Sequence, residues 1–341
     1  MYIENNVIKK YISFWLASMF WIISIMIIVG GLTRLTDSGL SITEWQLFSG
    51  ILPPLTNTDW NNYFDLYKKI PEYTQQNYSM TMKEFKVIFW WEWAHRFLGR
   101  VIGLLFLIPL VIFTLKVGFK KLINLYIIFF LICFQGLIGW YMVSSGLIDR
   151  VDVSHFRLSL HLIIAFLIIS LILWNYFKLT IKVNNSLKLK ILFPLVFLFC
   201  IFLQIIIGAF VSGMDAGQIY NSWPMMGSSY FPDDNNIVSI FKLSAFSDPS
   251  LVQFMHRNLA YVILIFFLLI LIKIYRRKLR NLYLAINIVG IFLFIQIILG
   301  VLTLLYGAQI YISSMHQISS IFLVSSSVYL LYLNSNQQLS N

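Results

Sequence analysis

Apolar residues follow one another along this chain in runs that are too long for the helices of most soluble proteins. Eight runs reach or approach the length of about 20 residues that a helix needs to cross a bilayer. Short polar or basic stretches separate most of them. We therefore predict eight membrane-spanning helices, over residues 11–31, 95–117, 122–143, 158–177, 191–214, 256–272, 281–306 and 312–333.

Two connections between these runs are long. The first covers residues 32–91 and contains two amphipathic, helix-like pieces, at residues 60–70 and 80–89. The second covers residues 215–253. Long connections are usually functional or disordered, and the many aromatic residues of the first one favour an ordered structure.

The composition agrees with a membrane protein. The chain has 341 residues, of which 59% are hydrophobic and 11% are charged, whereas soluble domains have about 25% charged residues. The net charge of +11 would suit nucleic-acid binding, but the basic residues lie in short clusters between apolar runs. We therefore predict an all-α protein surrounded by the lipid bilayer, with no nucleic-acid partner.

The charges also predict the orientation in the membrane. Fourteen of the 25 Lys and Arg residues fall in the N-terminal segment and in the short loops on the same side, together with a single acid, Glu4. The other 13 of the 14 acids lie on the opposite side. Because basic loops stay in the cytoplasm, both termini are predicted to be cytoplasmic.

The two halves of the chain repeat one pattern. Gly30 and Gly208 close the first and fifth runs, and His-Arg pairs open the second and sixth. The third run contains a glutamine and two glycines whose spacing returns in the seventh, at Gln135, Gly139, Gly146 and at Gln296, Gly300, Gly307. We predict two tandem four-helix bundles, residues 1–180 and 181–341, related by a pseudo-twofold axis along the membrane normal.

Four of the five histidines lie at matching positions in the two halves. Pairing His95 with His161, and His256 with His316, gives two imidazoles at one depth in each bundle. This arrangement fits a haem iron with two axial histidines, whereas zinc or copper usually takes three or four ligands. Hydrogen-bonded packing is the alternative role for such residues. His155 has no counterpart in the second half, and we predict that it lies on the outer surface.

Glu92 breaks the symmetry, because Gln253 occupies its place in the second half. A carboxylate beside one site alone suggests that only this site carries out proton chemistry. The alternative is an ion pair with Arg96, four residues on. Six arginines on the outer side are candidates for binding haem propionates: Arg34, Arg96, Arg100, Arg150, Arg157 and Arg257.

Several long segments resemble the haem A synthases of bacteria and mitochondria. They are GGLTRLTDSGLSITEW (residues 30–45), EWAHRFLGR (residues 92–100), GAFVSGMDAG (residues 208–217) and YNSWPMM (residues 220–226). The resemblance covers nearly the whole chain. It is greatest to the proteobacterial and mitochondrial branch, because the cysteine pair that other bacterial members carry in the first outer loop is absent from this sequence.

The resemblance implies an oxidoreductase that converts haem O to haem A, oxidising the methyl group at porphyrin C8 to a formyl group through a hydroxymethyl intermediate. It implies that His95 and His161 hold the substrate. From their place on the outer side, we expect Arg34, Arg96 and Arg100 to be further substrate-binding residues. His256 and His316 would ligate a resident haem b cofactor, near Arg257. Glu92 would be catalytic.

The same resemblance implies a bacterial inner-membrane location and transient contact with haem O synthase and cytochrome oxidase assembly factors. A homo-oligomer remains open. An electron-transfer cytochrome b with two bis-histidine haems is the main alternative, since it needs the same four histidines. A duplicated proton-relaying transporter fits less well, because such proteins usually have broken helices at the bilayer midplane.

Overall fold

A computed structural model describes residues 5–45, 49–183 and 188–335, and most of them are helical. Within these residues the chain forms ten α-helices, and all except α2 and α3 are long and apolar enough to cross a membrane. The prediction of an all-α protein with eight spans is confirmed. The helices are α1 (Asn6–Leu35), α2 (Asn57–Tyr67), α3 (Pro71–Gln75), α4 (Met82–Val117), α5 (Phe119–Asp149), α6 (His155–Thr180), α7 (Leu192–Gly213), α8 (Pro249–Arg276), α9 (Tyr283–Leu305) and α10 (Ile310–Asn334).

Helix α4 is longer than the sequence pattern suggested. It begins after Thr81, whose side chain and that of Glu84 form a capping box, and it runs through the predicted separate piece at residues 80–89 without a break. No glycine or proline interrupts residues 82–95, so the helix continues from the outer segment into the membrane-spanning part. Its first turns pack against the outer segment, and the remainder lies in the membrane.

Three helices form the centre of the molecule. Helix α1 packs on α4, α6 and α10, and α6 packs on α5, α7 and α10. About half of the apolar window is buried in α1, α6 and α10 (44%, 50% and 56%), against 17% in α4, α5 and α9. The peripheral helices therefore present most of their apolar side chains outward, as expected for lipid contact. The division into two pseudo-symmetric bundles stays a prediction.

The first long connection is an ordered cap built from α2, α3 and the start of α4. Its apolar cluster includes Trp60, Phe64, Tyr67, Phe85 and Phe89. The Trp60 and Phe89 rings meet edge to face at 5.0 Å, and the Phe64 and Phe85 rings stack at 4.9 Å. Aromatic pairs of this kind contribute about 0.5–1.5 kcal/mol each beyond simple burial, so the cap is held on α4 by side-chain packing.

A carboxyl group is buried inside this cap. Glu72 is 3% exposed, and its Oε1 accepts hydrogen bonds from the Tyr67 hydroxyl at 3.0 Å and from Asn77 Nδ2 at 3.3 Å. Burial raises the pKa of Glu72 to about 8, although the hydrogen bond from Tyr67 acts in the opposite direction. The folded cap therefore holds this carboxyl group in its protonated form at neutral pH.

This buried carboxyl group predicts that the cap becomes less stable as the pH rises from about 5 to about 8. Across this interval the folded cap binds a proton that the unfolded cap has lost, so its free energy of opening falls with pH, by at most about 1.4 kcal/mol per pH unit. Limited proteolysis between residues 57 and 80 should accelerate with pH in the wild type and much less in Glu72→Gln. Asp65→Asn, at an exposed acid, is the control. An equal pH response in Glu72→Gln would contradict this account.

Candidate functional site

Two pairs of histidine rings face each other inside the helical body. The centroids of His95 on α4 and His161 on α6 are 6.4 Å apart. Those of His256 on α8 and His316 on α10 are 6.5 Å apart. The structure thus brings together the two pairs that the sequence singled out, and gives both nearly the same separation.

Each of these rings lies against a glycine of a neighbouring helix. A Cβ atom added to Gly30 of α1 would lie 2.8 Å from Cε1 of His95, and one added to Gly139, Gly208 or Gly300 would lie 3.0 Å from Cε1 of His161, His256 or His316. Such distances are too short for a side chain. The glycines therefore leave room for the imidazoles.

The geometry fits a haem iron between the rings of each pair. With metal–nitrogen bonds of about 2 Å and about 1.2 Å from nitrogen to ring centre, two axial imidazoles place their centroids about 6.4 Å apart. Among the described residues, no hydrogen-bond partner reaches the buried Nδ1 atom of any of the four histidines. Buried polar atoms without partners cost free energy, which is typical of side chains positioned for a ligand.

Glutamines approach three of the four histidines. The Gln135 amide donates to the backbone oxygen of His161 at 2.8 Å. The Gln204 amide nitrogen lies 2.9 Å from the backbone oxygen of His256 and 3.3 Å from its Nε2. The Gln296 amide nitrogen lies 3.3 Å from Nε2 of His316.

Glu92 is buried, 2% exposed, and joins α4 to the segment that follows α1. Its Oε1 accepts from the Arg96 guanidinium, and its Oε2 accepts from the Ser41 hydroxyl and the Ile42 amide, both at 2.7 Å. Arg96 also donates to the backbone oxygen of Ile42 at 2.7 Å. The ion pair considered from the sequence is therefore present. Together with these hydrogen bonds, it holds residues 41–42 against α4, the helix that carries His95.

In the second half, Gln253 occupies the position of Glu92, and it donates a hydrogen bond to the outer loop where Glu92 accepts one. Gln253 donates to the backbone oxygen of Ala216 at 2.8 Å, and its Oε1 accepts from Arg257 at 3.1 Å. Arg257 also donates to the backbone oxygens of Tyr220 and Ser222, each at 2.9 Å. In both halves, therefore, the arginine after the histidine holds an outer loop. Of the two halves, only the first has a carboxyl group in this position.

Arg96 and Arg100 share a small pocket beneath the outer cap. Arg96 lies 5.5 Å from the ring of Trp45, and Trp93 is part of the pocket wall. A pocket with two guanidiniums and several aromatic rings suits an anionic group attached to a flat apolar ligand. The remaining lining residues are Ile42, Glu44, Gly50, Leu52, Tyr63 and Phe89.

Arg34 lies elsewhere and links the two halves of the chain. It forms ion pairs with Asp37 at 2.7 Å and with Asp215 at 3.1 Å, with Asp152 at 3.8 Å. It also donates to the backbone oxygen of Ser212 at 2.9 Å. These carboxylates come from three separate parts of the chain, so Arg34 has a structural role at the end of α1 in addition to any ligand contact.

The prediction that His155 lies on the outer surface is wrong. This residue begins α6 and is only 8% exposed, with its ring 5.4 Å from that of Phe210 on α7. A Cβ atom on Gly213 would lie 2.9 Å from the His155 Cα, so α6 and α7 meet closely there. The sequence did not reveal this contact because it depends on how the two halves pack.

Two contacts of the site were missed from the sequence. Ser41 and Ile42 bind Glu92 from a segment 50 residues away, and no local pattern indicated this. The Gln-x-x-x-Gly spacing at Gln135 and Gln296 was part of the sequence repeat, but its third copy at Gln204 and the contacts of all three with histidines were not predicted. In the described ranges, no group of three or more His, Cys, Asp or Glu side chains is placed to hold a metal ion.

Comparisons with known proteins show similarity over nearly the whole chain to one protein family. A family model described as "COX15-CtaA: Cytochrome oxidase assembly protein" matches residues 13–328. The chain is 49% identical over 340 residues to the "Heme A synthase" of Pelagibacter ubique, covering 98% of this chain and 100% of the relative. It is 43% identical to that of Rickettsia bellii (93% and 96%) and 40% identical to that of Flavobacterium johnsoniae (95% and 98%).

Proposed function

Since this chain belongs to the haem A synthase family and converts haem O to haem A, we propose that its two histidine pairs divide the work between substrate and cofactor. His95 and His161 bind the iron of haem O, and His256 and His316 bind a resident haem b. The ring separations, 6.4 Å and 6.5 Å, each suit one iron. The single observation that carries the division is the buried Glu92 beside the first pair, where the second pair has Gln253. On this basis we assign residues 1–180 to the substrate bundle and residues 181–341 to the cofactor bundle.

The reaction that we propose is an oxidation of the C8 methyl group to a formyl group through a hydroxymethyl stage. Each of the two oxidations removes two electrons and two protons when the oxygen atom comes from water. A haem b held by His256 and His316 would supply one-electron redox chemistry, and the four electrons of the two oxidations would have to reach an electron acceptor outside the chain. The residues around the first histidine pair must then handle the protons.

Glu92 is the residue that we assign to proton handling. Its carboxylate lies one helical turn from His95, and the residue at the matching position of the second half is the neutral Gln253. Arg96 and the outer segment hold the carboxylate in place through four hydrogen bonds. A positioned carboxylate of this kind typically contributes a rate factor of about 10²–10⁴ as a general acid or base.

The arginines supply binding energy for the propionates. We assign Arg96 and Arg100 to the substrate, because both line the pocket beneath the cap, and Arg257 to the cofactor. Arg34 remains a candidate for substrate binding. Its two terminal nitrogens pair with Asp37 and Asp215, whereas its Nε has no hydrogen-bond partner among the described residues.

The protein is a multi-pass membrane protein, and its charge pattern supports an orientation with both termini in the cytoplasm. We propose that it lies in a bacterial inner membrane. The site and the outer cap then lie toward the outer face. Through transient contact, haem O synthase would provide the substrate and cytochrome oxidase assembly factors would receive the product.

A heterologous bacterium that makes haem O but no haem A provides the test. Expression of this chain should yield haem A, with the hydroxymethyl compound as a minor product, when pigments are extracted and separated by chromatography. The matched control is the His95→Ala, His161→Ala double variant. If both haems bind but neither product forms, the chain is an electron-transfer cytochrome b instead.

A further inference from the structure

A polar side chain joins α1 of the first half to α10 of the second. Gln317 of α10 donates from Nε2 to the backbone oxygen of Ile27 in α1 at 2.9 Å. A Cβ atom on Gly31, one turn further along α1, would overlap Oε1 of the same carboxamide. Small residues let membrane helices approach closely. Gly31 therefore leaves open the place that the Gln317 side chain occupies against α1.

The same turn of α1 also borders the first histidine pair. Gly30, the neighbour of Gly31, is the glycine whose added Cβ atom would lie 2.8 Å from Cε1 of His95. Successive residues of an α-helix point about 100° apart, so this turn of α1 meets His95 on one side and Gln317 on the next. Gln317 directly follows His316 in the sequence. One turn of α1 thus lies between a ring of the first pair and the helix that carries a ring of the second.

The matching place between the halves has aliphatic residues instead. In the predicted repeat, α6 and α7 correspond to α10 and α1. Leu162 then takes the place of Gln317, and Ala209 takes the place of Gly31 and carries a Cβ atom. Helices α6 and α7 are linked through Ser159, whose hydroxyl lies 3.3 Å from a backbone oxygen of α7. The carboxamide link therefore distinguishes the contact of α10 with α1 from its counterpart.

This link bears on one histidine pair more directly than on the other. The glycine beside His95 belongs to α1, the helix that Gln317 binds. The glycine beside His316 is Gly300 of α9, and α9 is the main packing partner of α10. Loss of the bond from Gln317 would therefore loosen the wall beside His95 and leave the wall beside His316 in place.

We infer that Gln317 is a positioning residue, through which the second half of the chain fixes α1 and thereby the place of the His95 ring in the first site. This inference rests on the proposed function, in which His95 and His161 bind the iron of haem O. The substrate site then depends on a residue of the cofactor half that lies outside both histidine pairs.

Titration of the purified protein, with its resident haem bound, with ferric haem O tests this inference without turnover. Absorbance measures the affinity, and the low-spin electron paramagnetic resonance signal of the added haem reports how its two imidazole rings are oriented. Gln317→Leu removes the hydrogen bond and keeps a side chain of similar size. It should weaken binding of haem O about fivefold, as expected for one hydrogen bond of ordinary strength, and shift the signal of the added haem. The signal of the resident haem should stay as in the wild type.

A second substitution reaches the same contact from α1. Gly31→Ala keeps Gln317 but introduces the Cβ atom that displaces its carboxamide, so it should reproduce the weaker binding and the shifted signal. Because both changes remove one contact, Gly31→Ala combined with Gln317→Ala should bind haem O as Gln317→Ala alone does. The matched control is Ser320→Ala, which removes a hydrogen bond to the Gln317 backbone within α10. It should bind haem O as the wild type does.

Two results would overturn the inference. If Gln317→Leu and Gly31→Ala leave the affinity and signal of the added haem unchanged, the contact serves helix packing alone, even where the variants are less stable to heat. If the signals of both haems shift equally, Gln317 acts on the whole boundary between the halves.

Failure of the proposed function has a different signature. If the wild type takes up no haem O at the first pair, the division of labour is wrong and the inference falls with it. If the wild type binds haem O and only the variants disagree, the division of labour stands and the role of Gln317 is wrong.

Discussion

Glu92→Gln is expected to leave haem bound in both halves and to lower haem A formation about a hundredfold or more, the lower end of the usual contribution of a general acid or base. The second half shows that glutamine and arginine can pair in this fold, since Gln253 accepts from Arg257. Haem content by absorbance and haem A yield by pigment extraction are the two measurements.

A matched control tests whether Glu92 acts through its charge or through the outer segment. Ser41→Ala removes one of the hydrogen bonds that Glu92 accepts and leaves the carboxylate and Arg96 in place. It should retain most haem A formation. If Ser41→Ala is as inactive as Glu92→Gln, the carboxylate serves to anchor the segment. Normal haem A output from Glu92→Gln would remove it from the reaction altogether.

His256→Ala and His316→Ala are each expected to abolish binding of the resident haem, and haem A formation with it. Each ring is one of only two protein ligands to its iron in our proposal, and each fills a place beside a glycine, Gly208 or Gly300. Absorbance spectra of the purified variants and haem-to-protein ratios measure this loss. His95→Ala should instead retain the resident haem and lose the substrate.

Two further variants control for damage to the fold. His155→Ala changes a histidine that is buried but faces Phe210 rather than another imidazole, so it should keep both haems. His256→Gly combined with added imidazole should restore the resident haem if only the ligand was lost. Equal loss of haem from His95→Ala and His256→Ala would contradict the division of labour.

The spans and the histidine pairs could be predicted because they depend on local rules. A long enough run of apolar residues predicts a spanning helix from local sequence alone. His95 and His256 could be identified because they occupy matching positions in the two repeats. The fold class and the family followed from these features. The facing of the rings depended only on two helices of each half that run in the same direction, α4 with α6 and α8 with α10, and contribute side chains at one depth.

Contacts between distant segments could not be predicted in the same way. The hydrogen bonds of Glu92 to Ser41 and Ile42 depend on how the outer segment folds back over α4. The burial of His155 depends on the close approach of α6 to α7 at Gly213. Neither leaves a periodic signal, because the partners are set by the packing of whole helices.

The ion pairs of Arg34 have a consequence for the order of assembly during synthesis. Arg34 leaves the ribosome 181 residues before Asp215, the partner that joins it to the second half. Until then, Asp37 is its nearby partner. The ion pair between the end of α1 and Asp215 can therefore form only after α7 has been synthesised, so the final arrangement of the first half depends on the start of the second.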